Sequence, residues 1–325
     1  MPVTLAQAKV GMADHVDQQV IDNFRRGSQL LDALTFDNCV SPGTGGSTLT
    51  YGYTQLKTPA TAAFRELNAE YTPKEADREK KTVDLKIFGG NFQVDRVLAN
   101  TTNAQVNEVE FQLQEHIKAT INLFHYTAIN GDKGTTGFDG LDKMLVGTST
   151  ELNKDTTGVI DLSTASAIDT NYKSMLDMVD ALLAELDGMP TMFMANGALI
   201  TKIKACARRA GYLTPSEDAF GRTVETYNGI PLVNLQYYFD GSTETPVVPI
   251  VTRNESVTGL TDLYAVRFGL DGFHAVSPMG GKIINTTLPD FSTAGAVKSG
   301  DVEMVAATVL KKTRAAGVLR NVKVK

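Results

Sequence analysis

The stretch from Asp132 to Lys143 has the residue types that come closest to a metal-binding loop. Asp132, Thr136 and Asp139 offer spaced oxygen ligands of the kind that Ca²⁺ prefers. An EF-hand needs an oxygen ligand at its third position and a bidentate glutamate at its twelfth, where this stretch has Gly134 and Lys143. The loop fails on ligand count, so no metal is predicted here.

Histidine and cysteine do not form a recognisable catalytic pattern. The four histidines are His15, His116, His125 and His274. None lies in a His-Glu-x-x-His motif, so each is interpreted as a surface or packed residue. Cys39 and Cys206 are far apart, which predicts ordinary buried thiols and neither a zinc site nor a disulfide. A pair of acid–base carboxylates need not be adjacent in sequence, so a metal-free enzyme stays open as an alternative.

Composition sets the broad class. The chain has 325 residues, 42% of them hydrophobic, which is enough for about two domains with cores. It contains neither a membrane-spanning apolar run nor a secretory signal, and synthesis in a cytoplasm is the default expectation. The net charge of −6 argues against a dedicated nucleic-acid binder.

The last fifteen residues differ from this acidic average. Residues 311–325 carry six basic side chains and no acidic one. We interpret them as a solvated terminal segment, with nucleic-acid contact as the alternative. Neutralising Arg320, Lys323 and Lys325 together is therefore expected to leave folding nearly intact.

Two alternating segments predict a long β-ribbon. Leu49, Tyr51 and Tyr53 alternate with polar residues in "STLTYGYTQL", and Val83, Leu85 and Ile87 do so in "KKTVDLKIFGG". The second segment contains a Gly-Gly pair at residues 89 and 90 that lacks the spacing of a phosphate-binding loop, and we interpret it as a strand bend or bulge. Because about 25 interleaved charged and polar residues separate the strands, residues 47–97 are predicted to project as one extended loop.

The remaining elements follow from periodicity and turn residues. Residues 105–130 show apolar side chains at three- and four-residue steps, which predicts a helix about 36 Å long. A second helix is predicted over residues 170–186, then a buried strand in "PTMFMAN" and a helix in "GALITKIKACARRAG". "VETYNGIPLVNL" predicts a hairpin with an Asn-Gly turn.

The order of these parts resembles the major capsid proteins of tailed bacteriophages. An arm, a charged ribbon, the strand "KIFGGNFQVDRVLA", a long helix and "AINGDKGTTGFDGL" follow one another as in that family. The matching residues are Asn130, Gly131, Asp132, Gly140 and Leu141 after the helix, and Gly229, Ile230 and Pro231 in a later turn. The resemblance runs from about residue 20 to residue 325, and its specificity lies in the order and spacing of the motifs.

This resemblance implies an α+β fold, the phage major capsid (Hong Kong 97-like) fold. The expected parts are an N-terminal arm (residues 1–46), an extended β-ribbon loop (47–97), a peripheral domain with a spine helix (98–170 and 297–325) and an α/β axial domain (171–296). The chain starts close to the arm, which implies a separate scaffolding protein or earlier removal of an N-terminal extension.

The implied function is a structural one. The chain is expected to self-assemble into the icosahedral head that encloses double-stranded DNA, as a virion capsid protein without catalytic activity or cofactors. The candidate intersubunit contacts are Lys57, Arg65, Glu66, Glu70, Tyr71, Lys74, Asp77, Arg78 and Lys81.

Several partners follow from the resemblance: copies of the chain in pentamers and hexamers, a scaffolding protein, a portal, a decoration protein and weakly contacted DNA, with no membrane. Some relatives join a ribbon lysine covalently to a neighbour's asparagine. Lys57 is the candidate here, although non-covalent assembly is expected. The alternatives are an encapsulin-type shell, or a metal-free enzyme with a pocket in the axial domain.

Overall fold

The computed structural model describes residues 29–39, 48–99, 108–134, 137–155, 158–211, 215–217, 223–254, 256–278 and 284–325. Most of the predicted arm of residues 1–46, including His15, lies outside these ranges. No helix within the described ranges is both long enough and apolar enough to cross a membrane.

The described residues form six α-helices and eighteen strands. The helices are α1 (Gln29–Ala33), α2 (Arg96–Ala99), α3 (Glu108–Asn130), α4 (Leu141–Met144), α5 (Ala165–Glu185) and α6 (Gly197–Ala210). The first nine strands are β1 (Phe36–Asn38), β2 (Thr50–Thr58), β3 (Asp77–Asp84), β4 (Lys86–Asp95), β5 (Glu151–Leu152), β6 (Ile160–Asp161), β7 (Met192–Ala195), β8 (Pro215–Glu217) and β9 (Thr223–Tyr227). The others are β10 (Ile230–Asn234), β11 (Tyr237–Phe239), β12 (Glu244–Pro246), β13 (Val251–Arg253), β14 (Val257–Val266), β15 (Phe273–Ser277), β16 (Ile284–Thr287), β17 (Val297–Leu310) and β18 (Ala316–Lys323).

A nine-stranded sheet separates two hydrophobic cores. Its strands run in the order β5-β18-β14-β7-β10-β9-β8, with β13 on β14 and β6 on β18. Alternate residues of the central strands face opposite sides, as a pleated sheet requires. Phe193 and Leu263 pack toward α5 and α6, whereas Met194 and Tyr264 enter the second core.

Helices α5 and α6, which cover one face of the nine-stranded sheet, each begin after a capping residue. The Thr164 hydroxyl accepts from the Ala167 amide at the start of α5, and the Asn196 side chain accepts from the Leu199 amide at the start of α6. Helix α5 starts five residues before the predicted position, so the predicted domain boundary between residues 170 and 171 falls inside it. The Asn-Gly hairpin is confirmed, because Asn228 (φ 51°) and Gly229 (φ 78°) turn β9 into β10.

A five-stranded sheet carries the spine helix α3. Strands β1, β15, β17 and β16 lie in that order, and β4 pairs with β17 along its whole length. We call this the platform sheet. The first half of α3 packs Leu113 and Ile117 on Phe92 and Val302, and the second half places Phe124 in the larger core. Strands β15 and β16 lie within residues 171–296, the predicted axial domain, whereas β4 and β17 lie outside it. The platform sheet therefore combines strands from both sides of the predicted domain boundary.

The prediction of a continuous ribbon strand through residues 80–97 is wrong. Strand β3 ends at Asp84 and pairs with β2, whereas β4 begins at Lys86 and pairs with β17. Leu85 is buried but Ile87 is exposed, whereas Phe92 and Val94 further along β4 are buried. The buried side chains therefore change from odd-numbered to even-numbered positions between β3 and β4. Residues 86–95 therefore belong to the platform sheet, which shortens the predicted loop of residues 47–97.

The Gly89-Gly90 pair does not form the predicted bend or bulge. Its register against β17 is unbroken from Lys86 to Asp95. A Cβ on Gly89 would overlap the carbonyl oxygen of Val302, and a Cβ on Gly90 would lie 2.5 Å from His116 Nδ1 on α3. The glycines are there because the neighbouring strand and the spine helix approach the backbone closely.

The basic C-terminal stretch is not the solvated segment that the sequence suggests. Strand β18 lies inside the nine-stranded sheet between β14 and the short strands β5 and β6. Arg320 is only 8% exposed. Lys323 lies nearer the surface and pairs with Asp161 at 3.4 Å.

Arg320 is satisfied by acidic groups from three separate segments. Its Nη1 donates to Asp142 Oδ1 at 2.6 Å and to Asp262 Oδ2 at 3.2 Å, and its Nε donates to Glu151. Arg253 shares this cluster through two hydrogen bonds to Asp262 of 2.8 and 2.6 Å. Burial lowers the pKa of the Arg320 guanidinium, but its hydrogen bonds and charge contacts with Asp142 and Asp262 outweigh burial and raise it overall.

Replacing Arg320 should therefore destabilise the fold strongly. Removing one partner of a buried ion pair leaves uncompensated buried charges, so we expect Arg320→Ala to lower the free energy of unfolding by about 3 kcal/mol or more. Lys323→Ala is the matched control, since its single half-exposed pair is worth at most about 1 kcal/mol. Urea denaturation measures both variants, and equally small losses would restore the solvated-segment interpretation.

Candidate functional site

The β2–β3 ribbon is the one two-stranded element of the described residues that matches the predicted projection. Its register runs from Thr50 opposite Asp84 to Thr58 opposite Asp77, with an irregularity between Leu56 and Thr58. Strands of this length extend roughly 30 Å. Neither strand pairs with any other described strand, so the ribbon leaves the body of the molecule with both outer edges open.

A small polar cluster holds the root of the ribbon. The Tyr51 hydroxyl donates to Asp37 Oδ2 at 2.7 Å, and Lys311 Nζ lies 3.9 Å from the same oxygen and 5.4 Å from the Tyr51 ring centre. Gln55 donates to the Thr313 hydroxyl at 3.1 Å. Burial and the hydrogen bond to Asp37 raise the pKa of Tyr51, so the hydroxyl stays protonated and keeps donating.

His274 lies beneath this cluster. Its ring is fully buried and meets the Tyr51 ring edge-on, with 6.0 Å between centres. Burial and the positive charge of Lys311 lower the pKa of His274, against the smaller opposing effects that include Asp37. The imidazole is therefore neutral at pH 7, so His274 adds no positive charge beneath the partly buried Lys311.

Above the root, the predicted contact residues are exposed and weakly held. Lys57 pairs with Asp77 at 3.4 Å where the strands end, and both side chains are more than half exposed. Arg78 and Lys81 lie on β3 opposite Leu56 and Tyr53. An exposed pair of this kind contributes at most about 1 kcal/mol, so these charges remain available to another molecule.

The tip of the ribbon, residues 59–76, contains no regular strand or helix. A turn at Asn68 (φ 65°) is closed by a hydrogen bond from the Ala69 amide to the Glu66 carbonyl. Arg65 donates to the Ala69 carbonyl at 3.0 Å, and its guanidinium lies 5.6 Å from the Tyr71 ring centre. The structure thus brings Arg65, Glu66 and Tyr71 together.

Glu70 and Lys74 are placed on the same tip without ion pairs to described residues. The sequence pattern led us to predict Tyr71 as a contact residue but not the neighbouring apolar side chains of Phe64 and Leu67. Phe64 is completely exposed, Leu67 is 88% exposed and Tyr71 is 61% exposed. These three residues recur at three- and four-residue steps, but that spacing is typical of the buried face of a helix and does not mark them as exposed.

The remaining candidate chemistry is sparse. A groove of about 730 Å³ lies between α5, α6 and the β9–β10 hairpin, where Tyr227 donates to Asp180 at 2.8 Å. Its lining includes the carboxylates of Asp177 and Asp180 but no histidine or cysteine. Across the described ranges, no three acidic, histidine or cysteine side chains are grouped to hold a metal. Cys39 and Cys206 are buried and form no disulfide, as predicted.

Comparisons with known proteins identify the fold. No protein-family model and no curated sequence matches the chain. Among solved structures, the holo-SrpI encapsulin complex of Synechococcus elongatus PCC 7942 is 16% identical with a TM-score of 0.64, covering 100% of this chain and 98% of its own. The capsid of a native GTA particle is 13% identical (TM-score 0.56; 91% and 90% covered), and the capsid of Myoviridae phage XM1 is 12% identical (TM-score 0.51; 91% and 92%).

These likenesses confirm the predicted fold class. The chain has the α+β, Hong Kong 97-like fold found in phage capsid and encapsulin subunits, over nearly its whole length. Within that fold, the β2–β3 ribbon, strand β4 and the spine helix α3 follow one another along the chain in the predicted order.

The Tyr51–Asp37 hydrogen bond should set how firmly the ribbon is held. We expect Tyr51→Phe to lower the free energy of unfolding by about 1 kcal/mol, because a hydrogen bond to a partly buried carboxylate is lost. Amides of residues 50–58 should exchange faster with deuterium while those of β17 are unchanged.

Tyr53→Phe is the matched control, since the Tyr53 hydroxyl makes no hydrogen bond to a described residue. Mass spectrometry of exchange in the unassembled protein measures both variants. Equal exchange in the two variants would show that Asp37 does not anchor the ribbon.

Proposed function

We propose that the chain is the structural subunit of an icosahedral shell, the head of a tailed bacteriophage that encloses double-stranded DNA. The capsids of the GTA particle and of Myoviridae phage XM1 share its fold over about nine-tenths of both chains. The observation that carries the proposal is the ribbon of residues 50–84, whose tip is unsupported by its own subunit.

The energetics of the ribbon favour contact with neighbouring subunits. An isolated two-stranded hairpin is marginally stable in water, so most of its stabilisation must come from surfaces that it contacts. Phe64, Leu67 and Tyr71 leave apolar area exposed, and burying such area stabilises by about 25 cal/mol per Å². A neighbouring copy supplies that surface in a shell.

The charges around these apolar side chains suit reversible assembly. A shell subunit must bind several neighbours weakly enough to correct errors, which favours extended polar contacts over one large apolar interface. The nine candidate contact residues from Lys57 to Lys81 remain our proposal for this surface. Copies in pentamers and hexamers are the principal partners, in a virion capsid assembled in a bacterial cytoplasm.

Other partners follow from a head that is filled with DNA. A scaffolding protein, a portal and a decoration protein are proposed partners, and the packaged DNA is contacted weakly because the net charge is −6. A catalytic role and a cofactor form no part of this function.

An encapsulin-type shell is the second candidate, because the encapsulin structure gives the higher TM-score of 0.64 and covers the whole chain. The two functions differ in what the particle contains. We expect particles isolated from phage lysate to protect DNA from nuclease. Particles that carry an enzyme and no protected DNA would instead favour the encapsulin candidate.

Removing the ribbon tip should abolish assembly without unfolding the subunit. We expect replacement of residues 60–75 by a short Gly-Ser linker to leave the Lys57–Asp77 pair and both cores intact. The variant should be soluble and melt like the unassembled parent, yet form no closed shells by negative-stain microscopy.

The triple variant Phe64→Ser, Leu67→Ser and Tyr71→Ser keeps the chain length and should weaken assembly in the same direction. Normal particles from the linker variant would contradict the proposed role of the ribbon. A lowered melting temperature of its free subunit would show that the tip belongs to a core.

A further inference from the structure

A second surface lies beside the ribbon, where β3 lies across from residues 133–134 and 137–148. The space between them is a cleft of about 760 Å³. Four lysines line it, and we call it the lysine cleft: Lys81, Lys86, Lys133 and Lys143. Phe138 and Met144 add apolar side chains to the same lining.

Only two of these lysines have acidic partners. Lys133 pairs with Asp139 at 3.5 Å, and Lys143 pairs with Asp132 at 3.0 Å. Lys81 and Lys86 have no carboxylate within ion-pair distance among the described residues. Lys86 is also half-buried at the start of β4, on the strand face that carries Phe88 toward the core. The cleft therefore presents two uncompensated ammonium groups, one of them partly withdrawn from water.

The cleft also displays an open strand edge. The Leu85 amide donates to the Leu49 carbonyl at 2.7 Å, which fixes the alternation of hydrogen bonds between β3 and β2. By this alternation, Lys81 and Val83 direct their backbone groups to β2, whereas Thr82 and Asp84 direct theirs to the opposite edge. Residues 81 to 84 all line the cleft, so this edge opens into it.

We propose that the lysine cleft binds an extended, carboxylate-bearing segment of another polypeptide, which adds a third strand to the ribbon at Thr82 and Asp84. Backbone hydrogen bonds along the edge provide affinity, and side chains at alternate positions provide specificity. Carboxylates two residues apart lie on one face of such a strand and can reach Lys81 and Lys86.

The segments of this chain that the structure does not describe lack the required pattern. Their acidic residues are Asp14, Asp17, Asp22, Asp218 and Glu255, and no two of these are two positions apart. A separate polypeptide is therefore the proposed occupant. Binding at the cleft does not require an assembled shell, so it can be measured on free subunits.

Nucleic acid fits the cleft less well. The open edge of β3 presents alternating amide donors and carbonyl acceptors, which a peptide backbone matches and a phosphodiester backbone does not. Asp84 accepts a hydrogen bond from the Thr50 hydroxyl at 2.9 Å, which fixes it at the rim beside the open edge.

The test uses the full chain and a short fluorescent peptide in which glutamate and valine alternate. We expect saturable binding by fluorescence anisotropy, weakened about tenfold in the double variant Lys81→Gln and Lys86→Gln, because two ion pairs are lost. Thr82→Pro should weaken binding about fivefold, since it removes an amide from the open edge and none from the β2 ladder.

The matched control is the double variant Lys154→Gln and Lys173→Gln, which removes two exposed lysines outside the cleft and should leave affinity within about twofold. Thermal melting checks that each variant is folded, and the lysine pair decides the outcome if Thr82→Pro is not. Absence of saturable binding, equal loss in cleft and control variants, or tighter binding of an oligothymidylate of equal charge would each overturn the proposal.

Discussion

The buried guanidinium of Arg320 is the constraint on which the arrangement of both cores depends. It lies on β18, a strand whose alternate side chains enter the two cores on opposite faces of the nine-stranded sheet. Its acidic partners come from α4, β5 and β14, and each lies at least 58 positions away from Arg320 in the chain. A buried charge is tolerated only when such partners are in place, so one side chain fixes the register of three segments at once.

Strand β4 and the ribbon show how the molecule combines a rigid part with a compliant one. Residues 77–95 run almost without interruption, yet the strand changes partner at Leu85. Beyond that residue, β4 is covered by the spine helix and bonded to β17. Before it, β3 pairs with β2 alone among the described strands, and only its end near Val83 packs against the larger core. Displacement of the ribbon is therefore expected to stop at Leu85, since the densely packed platform resists deformation.

Local patterns predicted much of this fold, and long-range contacts account for what they missed. The helices α3, α5 and α6 and the Asn-Gly hairpin follow from periodicity and turn residues, which act over a few positions. The close approaches at Gly89 and Gly90 depend on Val302 and His116, and the burial of Arg320 depends on residues at least 58 positions away. The charged tip of the ribbon was visible in the sequence, but its exposed apolar side chains cannot be told from core residues without coordinates.

The charge pattern of β3 has a further consequence for the free subunit. A ribbon with two open edges invites edge-to-edge pairing between identical molecules, which leads to open-ended fibres. Arg78, Lys80 and Lys81 place cations along one such edge. Six of the eight residues of β3 are charged, and charged side chains along an edge oppose pairing with a second copy because they would have to leave water or find matched partners. The charges of β3 thus discourage unproductive self-association through the edge of the ribbon.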